Sequence, residues 1–177
     1  MQKALPKTSK MRSLLAASML VVLAACGGGE EALPLESFTA EDLYKRAEFE
    51  LEAGQPDDAA RLFGEVERLY PYSEWAKRAL VMQAFSYHRD RDYESARGAA
   101  ERYLSTFPAD EDAPWAQYLL ALSYYDQIDD VGRDQGLTLD ALEALRAVIE
   151  TYPESEYARS AILKFDLAFD HLAAKEM

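Results

Sequence analysis

The 177-residue chain carries 19 basic against 32 acidic side chains, a net charge of −13. That surplus repels phosphate backbones and disfavours nucleic acid as a partner, and the length suits one domain or one short repeat array. A single cysteine, Cys26, cannot form an internal disulfide.

The N-terminus gives that cysteine its own chemistry. Lys3, Lys7, Lys10 and Arg12 form a basic segment, and the uncharged run LLAASMLVVLAA follows over residues 14–25. The run is short for a membrane span and has the length of a signal-peptide core. It ends in Leu23-Ala24-Ala25-Cys26, which resembles a bacterial lipobox. Residues 1–25 therefore read as a signal peptide and Cys26 as the lipid-attachment residue. An ordinary secretory signal with a chance cysteine is the alternative, and Met11 is a second possible start. Cleavage before Cys26 removes the four basic residues and no acid, leaving 15 basic against 32 acidic, a net of −17. Several acyl chains on one cysteine would anchor the chain firmly, at about 0.8 kcal/mol per buried methylene. Residues 26–38 then form a flexible tether led by Gly27, Gly28 and Gly29. No aspartate follows Cys26, which in enteric-type sorting permits transfer to the outer membrane.

From Thr39 on, apolar residues recur at helical spacing, with almost no strand-type alternation. Thr39-Ala40-Glu41-Asp42 predicts a capping box at a helix start. Gly54-Gln55-Pro56 ends that helix and opens the next with proline in its first turn. Tyr70-Pro71, Phe107-Pro108 and Tyr152-Pro153 each close a helix. The first two lie 37 residues apart, and Ala84-Phe85-Ser86-Tyr87 recurs as Ala121-Leu122-Ser123-Tyr124 at the same shift of 37. YPYSEWAKRA at Tyr70 recurs as YPESEYARSA at Tyr152. Such self-similarity marks a helical repeat. The expected architecture is all-α, a tetratricopeptide-repeat (TPR) solenoid of antiparallel helical hairpins over residues 39–177. Its units lie at about 40–71, 77–108 and 114–153, with a last helix over 155–174.

The third unit is longer than the others. Ala47 to Ala59 and Ala84 to Ala96 each span 12 residues, whereas Ala121 to Ala141 spans 20. Eight extra residues therefore fall at IDDVGRDQG, and Asp129 to Gly136 reads as an inserted charged loop. The spacing of Asp126, Asp129, Asp130 and Asp134 does not fit a calcium loop, so no metal is expected there. His88 and His171 stand apart from any second histidine, and no nucleophile, phosphate-loop or CxxC motif occurs. An enzyme and a cofactor are not expected.

With the lipobox, the hairpins, YYDQ and DVGRDQ in the interrupted third unit, and the helix SEYARSAILKFDLAFDHLAAKEM, nearly the whole chain resembles the BamD family. These are the lipoprotein subunits of the outer-membrane β-barrel assembly (Bam) complex. The resemblance implies a non-enzymatic protein, lipid-anchored on the periplasmic face of the outer membrane. Its implied partners are BamA, the accessory Bam lipoproteins and unfolded outer-membrane β-barrel precursors. Family members run on through about two further hairpins, so the chain is expected to be truncated at its C-terminus and to keep the precursor-receiving half. Another TPR lipoprotein, scaffolding cell-wall or secretion proteins, is the alternative.

Counting from the small crossing residues places one stripe of each first helix in a groove. Unit one offers Glu41, Tyr44, Glu48 and Leu51. Unit two offers Arg78, Val81, Phe85, His88 and Arg89. Unit three offers Trp115, Tyr118, Leu122, Tyr125 and Asp126. Arg78 and Arg89 are candidates for a peptide carboxylate, through paired N–H donors. Phe85, Tyr118 and Tyr125 are candidates for peptide rings, although aromatic stripes often only pack between helices. Asp129, Asp130, Arg133, Asp134 and Gln135 are candidates for contact with another subunit.

Overall fold

Helices begin where the chain supplies partners for their first free N–H groups. The computed structural model describes residues 34–128 and 135–174. A 3-10 turn at Leu35–Ser37 leads into α1 (Ala40–Glu52). The expected capping box is present: Thr39 Oγ1 accepts the Asp42 N–H at 3.1 Å, and the Asp42 carboxylate accepts the Thr39 N–H at 3.3 Å. Then follow α2 (Pro56–Leu69), α3 (Glu74–Asp90), α4 (Tyr93–Thr106), α5 (Ala113–Tyr125), α6 (Gln135–Thr151) and α7 (Glu156–Ala174). Pro56 opens α2, where its missing N–H has no bond to forfeit. Ser73 and Ser155, the two serines of the repeated decapeptide, accept the Ala76 and Ala158 N–H groups, each at 3.1 Å. That cap starts α3 at Glu74, ahead of the expected Lys77.

The turns repeat too. Gly54 sits at φ +79°, and Arg91, 37 residues later, sits at φ +65°. At both turns the chain reverses direction through the left-handed region, which only glycine enters freely.

Three hairpins stack in sequence, and α7 packs on the third. Each helix touches its neighbour in the chain, and α1, α3, α5 and α7 also touch one another in succession. The first helices therefore form one continuous layer. The crossing residues are alanines because the backbones approach closely: Ala47, Ala84, Ala121, Ala59, Ala96 and Ala141 are all 0 % exposed. A cluster around Leu43, Phe63 and Val66 fills the first hairpin, one around Leu80, Tyr103 and Leu119 the second, and one around Leu145 and Val148 the third.

Two polar networks fasten hairpin to hairpin. Gln83 is buried on α3, donates Nε2 to the Ala60 carbonyl at 3.1 Å, and accepts from Arg102 Nη2 at 2.9 Å. A Cβ on Gly64 would lie 2.5 Å from that Nε2, so glycine makes room for the bond. Before α5, Asp110 accepts from the Tyr103 hydroxyl at 2.5 Å, from Lys77 Nζ at 2.6 Å and from the Asp112 N–H at 3.1 Å.

The third unit departs from expectation. α6 starts six residues before Ala141, whereas α2 and α4 start three before Ala59 and Ala96. Part of the extra length is therefore helix, and Gln135 and Gly136 stand in the first turn of α6 rather than in a loop. The helical pattern of LTLDALEAL, with Thr138, Ala141, Leu142 and Leu145 buried, carries the helix back through them. Adding a turn to an existing helix is cheap. Asp129, Asp130, Arg133 and Asp134 lie outside the described residues, as does Cys26.

On α7, Ile162, Leu163, Leu167 and Phe169 are 45–67 % exposed, while Leu80 and Val81 on α3, the repeat counterparts of Ile162 and Leu163, are 2–3 % exposed. Among the described residues, no helix is long and apolar enough to cross a membrane.

Candidate functional site

The layer of first helices gathers most of the expected groove residues on one side. One aromatic pair bridges each successive pair of first helices. Tyr44 of α1 meets Trp75 of α3 at 5.0 Å, Phe85 of α3 meets Trp115 of α5 at 5.6 Å, and Tyr118 of α5 meets Tyr157 of α7 at 5.6 Å. Ring pairs at these tilted separations add directional attraction to plain burial.

Cations cover the rings. The Arg78 guanidinium lies 5.7 Å from the Trp75 ring centre, that of Arg89 lies 5.8 Å from Phe85, and Lys164 Nζ lies 4.4 Å from Tyr125. Among the described residues, no carboxylate lies within 4.0 Å of any of these three cations. Arg78 and Arg89 are exposed and Lys164 is half-buried, on a chain whose net charge is −13.

His88 and Asp126 are joined to each other. His88 Nε2 and Asp126 Oδ2 stand 3.0 Å apart, and the His88 ring sits edge-on to Tyr93 at 5.5 Å. The pair ties α3 to the end of α5. Beyond it, Tyr125, Ile128, Leu167, Ala168 and His171 line a pocket of about 260 Å³ between α5 and α7.

Three expected groove residues are core residues instead. Tyr44 is 8 % exposed, wedged between Trp75 and the Phe63 ring at 5.2 Å. Burial, reinforced by Glu48, pushes its hydroxyl pKa up. Val81 and Leu51 are likewise buried. Phe85, Tyr118 and Tyr125 are half-buried. They pack between helices and still show an edge to solvent. Burial also raises the Tyr118 pKa, so its phenol stays neutral at pH 7.

Tyr157, Lys164, Leu167 and His171 on α7 also belong to this layer, beyond the three units that the crossing residues define. The signal was present. The second copy of the decapeptide makes α7 the first helix of a fourth unit, and a shift of 45 then carries Leu122 to Leu167 and Asp126 to His171. Among the described residues, no His, Cys, Asp or Glu cluster is arranged to hold a metal.

Stacked hairpins with alanine crossings and a layer of first helices define an all-α protein of the tetratricopeptide type. Two solved structures share that fold: the first TPR domain of human RPAP3, with TM-score 0.55 at 15 % identity over 77 % of this chain and 94 % of that one, and MamA from Desulfovibrio magneticus, with TM-score 0.55 at 20 % identity over 98 % and 96 %. Within that class, residues 36–177 match the model of the YfiO outer membrane lipoprotein family, and the chain belongs to that family. The outer membrane protein assembly factor BamD of Caulobacter vibrioides is 42 % identical over 166 residues, covering 93 % of this chain and 53 % of the relative. The factor of the same name from Rickettsia prowazekii is 34 % identical over 170 residues, covering 95 % and 67 %. The chain thus spans about half the length of the first relative and two-thirds of the second.

Proposed function

We propose that this chain acts in outer-membrane protein assembly, as a non-enzymatic receiver of unfolded β-barrel precursors. In this reading Cys26 carries the lipid that holds the chain on the periplasmic face of the outer membrane. The inner layer of α1, α3, α5 and α7 receives an extended precursor segment. The stretch containing Asp129, Asp130, Arg133, Asp134 and Gln135 contacts another subunit of the Bam complex, BamA or an accessory lipoprotein. The names of the relatives support the process.

The observation that carries the site is the set of unpaired cations lying on aromatic rings. Arg78, Arg89 and Lys164 have no carboxylate partner among the described residues, on a chain with a large acidic surplus. A cation kept open beside a half-buried ring suits a ligand that brings carboxylates and rings together. The C-terminal segment of a barrel precursor, with alternating aromatics and a free carboxylate, is such a ligand. Charge-assisted hydrogen bonds from a guanidinium are worth about 1.5–3 kcal/mol each.

The test is fluorescence anisotropy with a labelled peptide of the last residues of an outer-membrane barrel protein. Arg78→Glu with Arg89→Glu is expected to weaken binding about tenfold or more. An unchanged affinity overturns the groove assignment.

A further inference from the structure

The pocket between α5 and α7 pairs an apolar cavity with an unpaired cation. Its volume is about 260 Å³, and Tyr125, Ile128, Leu167 and Ala168 give it an apolar lining. Lys164 sits at its edge, with Nζ 4.4 Å from the Tyr125 ring centre. His171 completes the rim and brings a ring nitrogen that donates or accepts. The neighbouring acid is already engaged: Asp126, next to Tyr125, is held by His88 at 3.0 Å. That contact holds the Asp126 carboxylate toward α3, and Lys164 itself makes no ion pair among the described residues.

We propose that this pocket is the subsite for the C-terminal residue of the bound segment. It takes a large apolar or aromatic side chain, with the α-carboxylate on Lys164 and His171. The assignment rests on the groove reading above and narrows it. Arg78 and Arg89 lie on α3, one hairpin away from the pocket's main wall, so of the three cations Lys164 takes the α-carboxylate and the two arginines donate to backbone carbonyls and side-chain acceptors of the rest of the segment. An extended chain crosses the roughly 10 Å between adjacent first helices in about three residues. A short segment therefore reaches from the α3 cations to this pocket. The chemistry also fixes a direction, with the free end of the ligand toward α7.

The test compares two peptides of one sequence, ending in a large apolar residue, one as the free acid and one as the amide. The unaltered chain is expected to bind the acid about tenfold more tightly, the value of one charge-assisted contact. Lys164→Glu is expected to abolish that preference. Leu167→Gln is expected to weaken both forms by filling the wall with a polar group. Leu167 is 60 % exposed, so that change leaves folding intact, checked by thermal melting. Arg78→Glu with Arg89→Glu is expected to weaken both forms and keep the preference.

Equal binding of acid and amide by the unaltered chain overturns the assignment, and so does a preference that survives Lys164→Glu. Should neither peptide bind, the groove reading falls, and the pocket is judged alone with N-acetyl-phenylalanine and its amide. Methyl resonances of Ile128 and Leu167 are expected to shift with the acid and not with the amide. No shift with the acid overturns the pocket as well.

Discussion

Asp110→Asn isolates the charge that fastens the second hairpin to the third. Asp110 accepts three hydrogen bonds, from the Tyr103 hydroxyl, Lys77 Nζ and the Asp112 N–H. Lys77 first, then Tyr103, holds its carboxyl well below the ordinary range, at about 2 instead of 3.8. That difference corresponds to at most about 2.5 kcal/mol at neutral pH. Lys77 is 32 % exposed, and water around it trims the ionic contribution to about 1–2 kcal/mol. Asparagine keeps the shape but offers one acceptor oxygen to three donors and aims its own NH₂ at one of them. The depressed carboxyl fixes the sign. Its stabilisation is complete above the unfolded value near 3.8 and is lost as pH falls toward 2. Urea unfolding followed by far-UV circular dichroism at pH 7, 5, 4 and 3 reads the difference between the unaltered chain and the variant. A gap of about 2 kcal/mol at pH 7 is expected, narrowing below pH 4. The remaining carboxylates titrate in both proteins and largely cancel. A gap that stays constant from pH 7 to pH 3 refutes the reasoning, because a purely steric loss has no such dependence.

Arg91→Gly is expected to stabilise the fold by about 0.5–1 kcal/mol, because the position has φ +65° and its counterpart Gly54 is already glycine; an unchanged or lower urea midpoint argues against strain there. Gly64→Ala is expected to cost about 1–3 kcal/mol by driving Gln83 off the Ala60 carbonyl. The same change on a Gln83→Ala background should be nearly neutral, and equal costs in both backgrounds would show that the clash is not with Gln83. Cys26→Ser is expected to leave the precursor uncleaved at this bond and unacylated, read by mass spectrometry of the mature N-terminus; a processed, unmodified N-terminus elsewhere would remove the lipid anchor from the proposed function.

The fold was legible because its rules are local and repeated. Thr39 with Asp42, Pro56, and the serines of the two decapeptides each announce a helix start on their own. The shift of 37 aligns crossing alanines that are all fully buried. Gly136 misled, because a glycine beside acidic residues reads as loop. Its cost there is at most the roughly 1 kcal/mol of a helix-interior glycine, and burial of Leu142 and Leu145 outweighs it. Tyr44 misled for another reason. Its spacing from Ala47 is right for the inner face, but Trp75 of the next hairpin covers it. No single helix contains that information. The sequence pattern fixes which face a residue takes, while its exposure depends on which ring the next repeat brings.

That dependence decides which residues can report on binding. Phe85, Tyr118 and Tyr125 lie on the proposed groove, but Phe85 holds Trp115 and Tyr118 holds Tyr157, so each joins one hairpin to the next. Truncating such a ring in a core costs about 3–5 kcal/mol, and a loss of binding would then be indistinguishable from a loosened stack. The cations are different. Arg78 and Arg89 are exposed, and like Lys164 they make no ion pair among the described residues. An exposed cation–π contact adds about 0.5–1 kcal/mol, so reversing the two arginines barely touches the fold, and half-buried Lys164 is checked by its melting curve. If the inner face binds an anionic, ring-bearing segment, these three residues will show it while the melting curve stays in place. If it does not, their reversal will change neither.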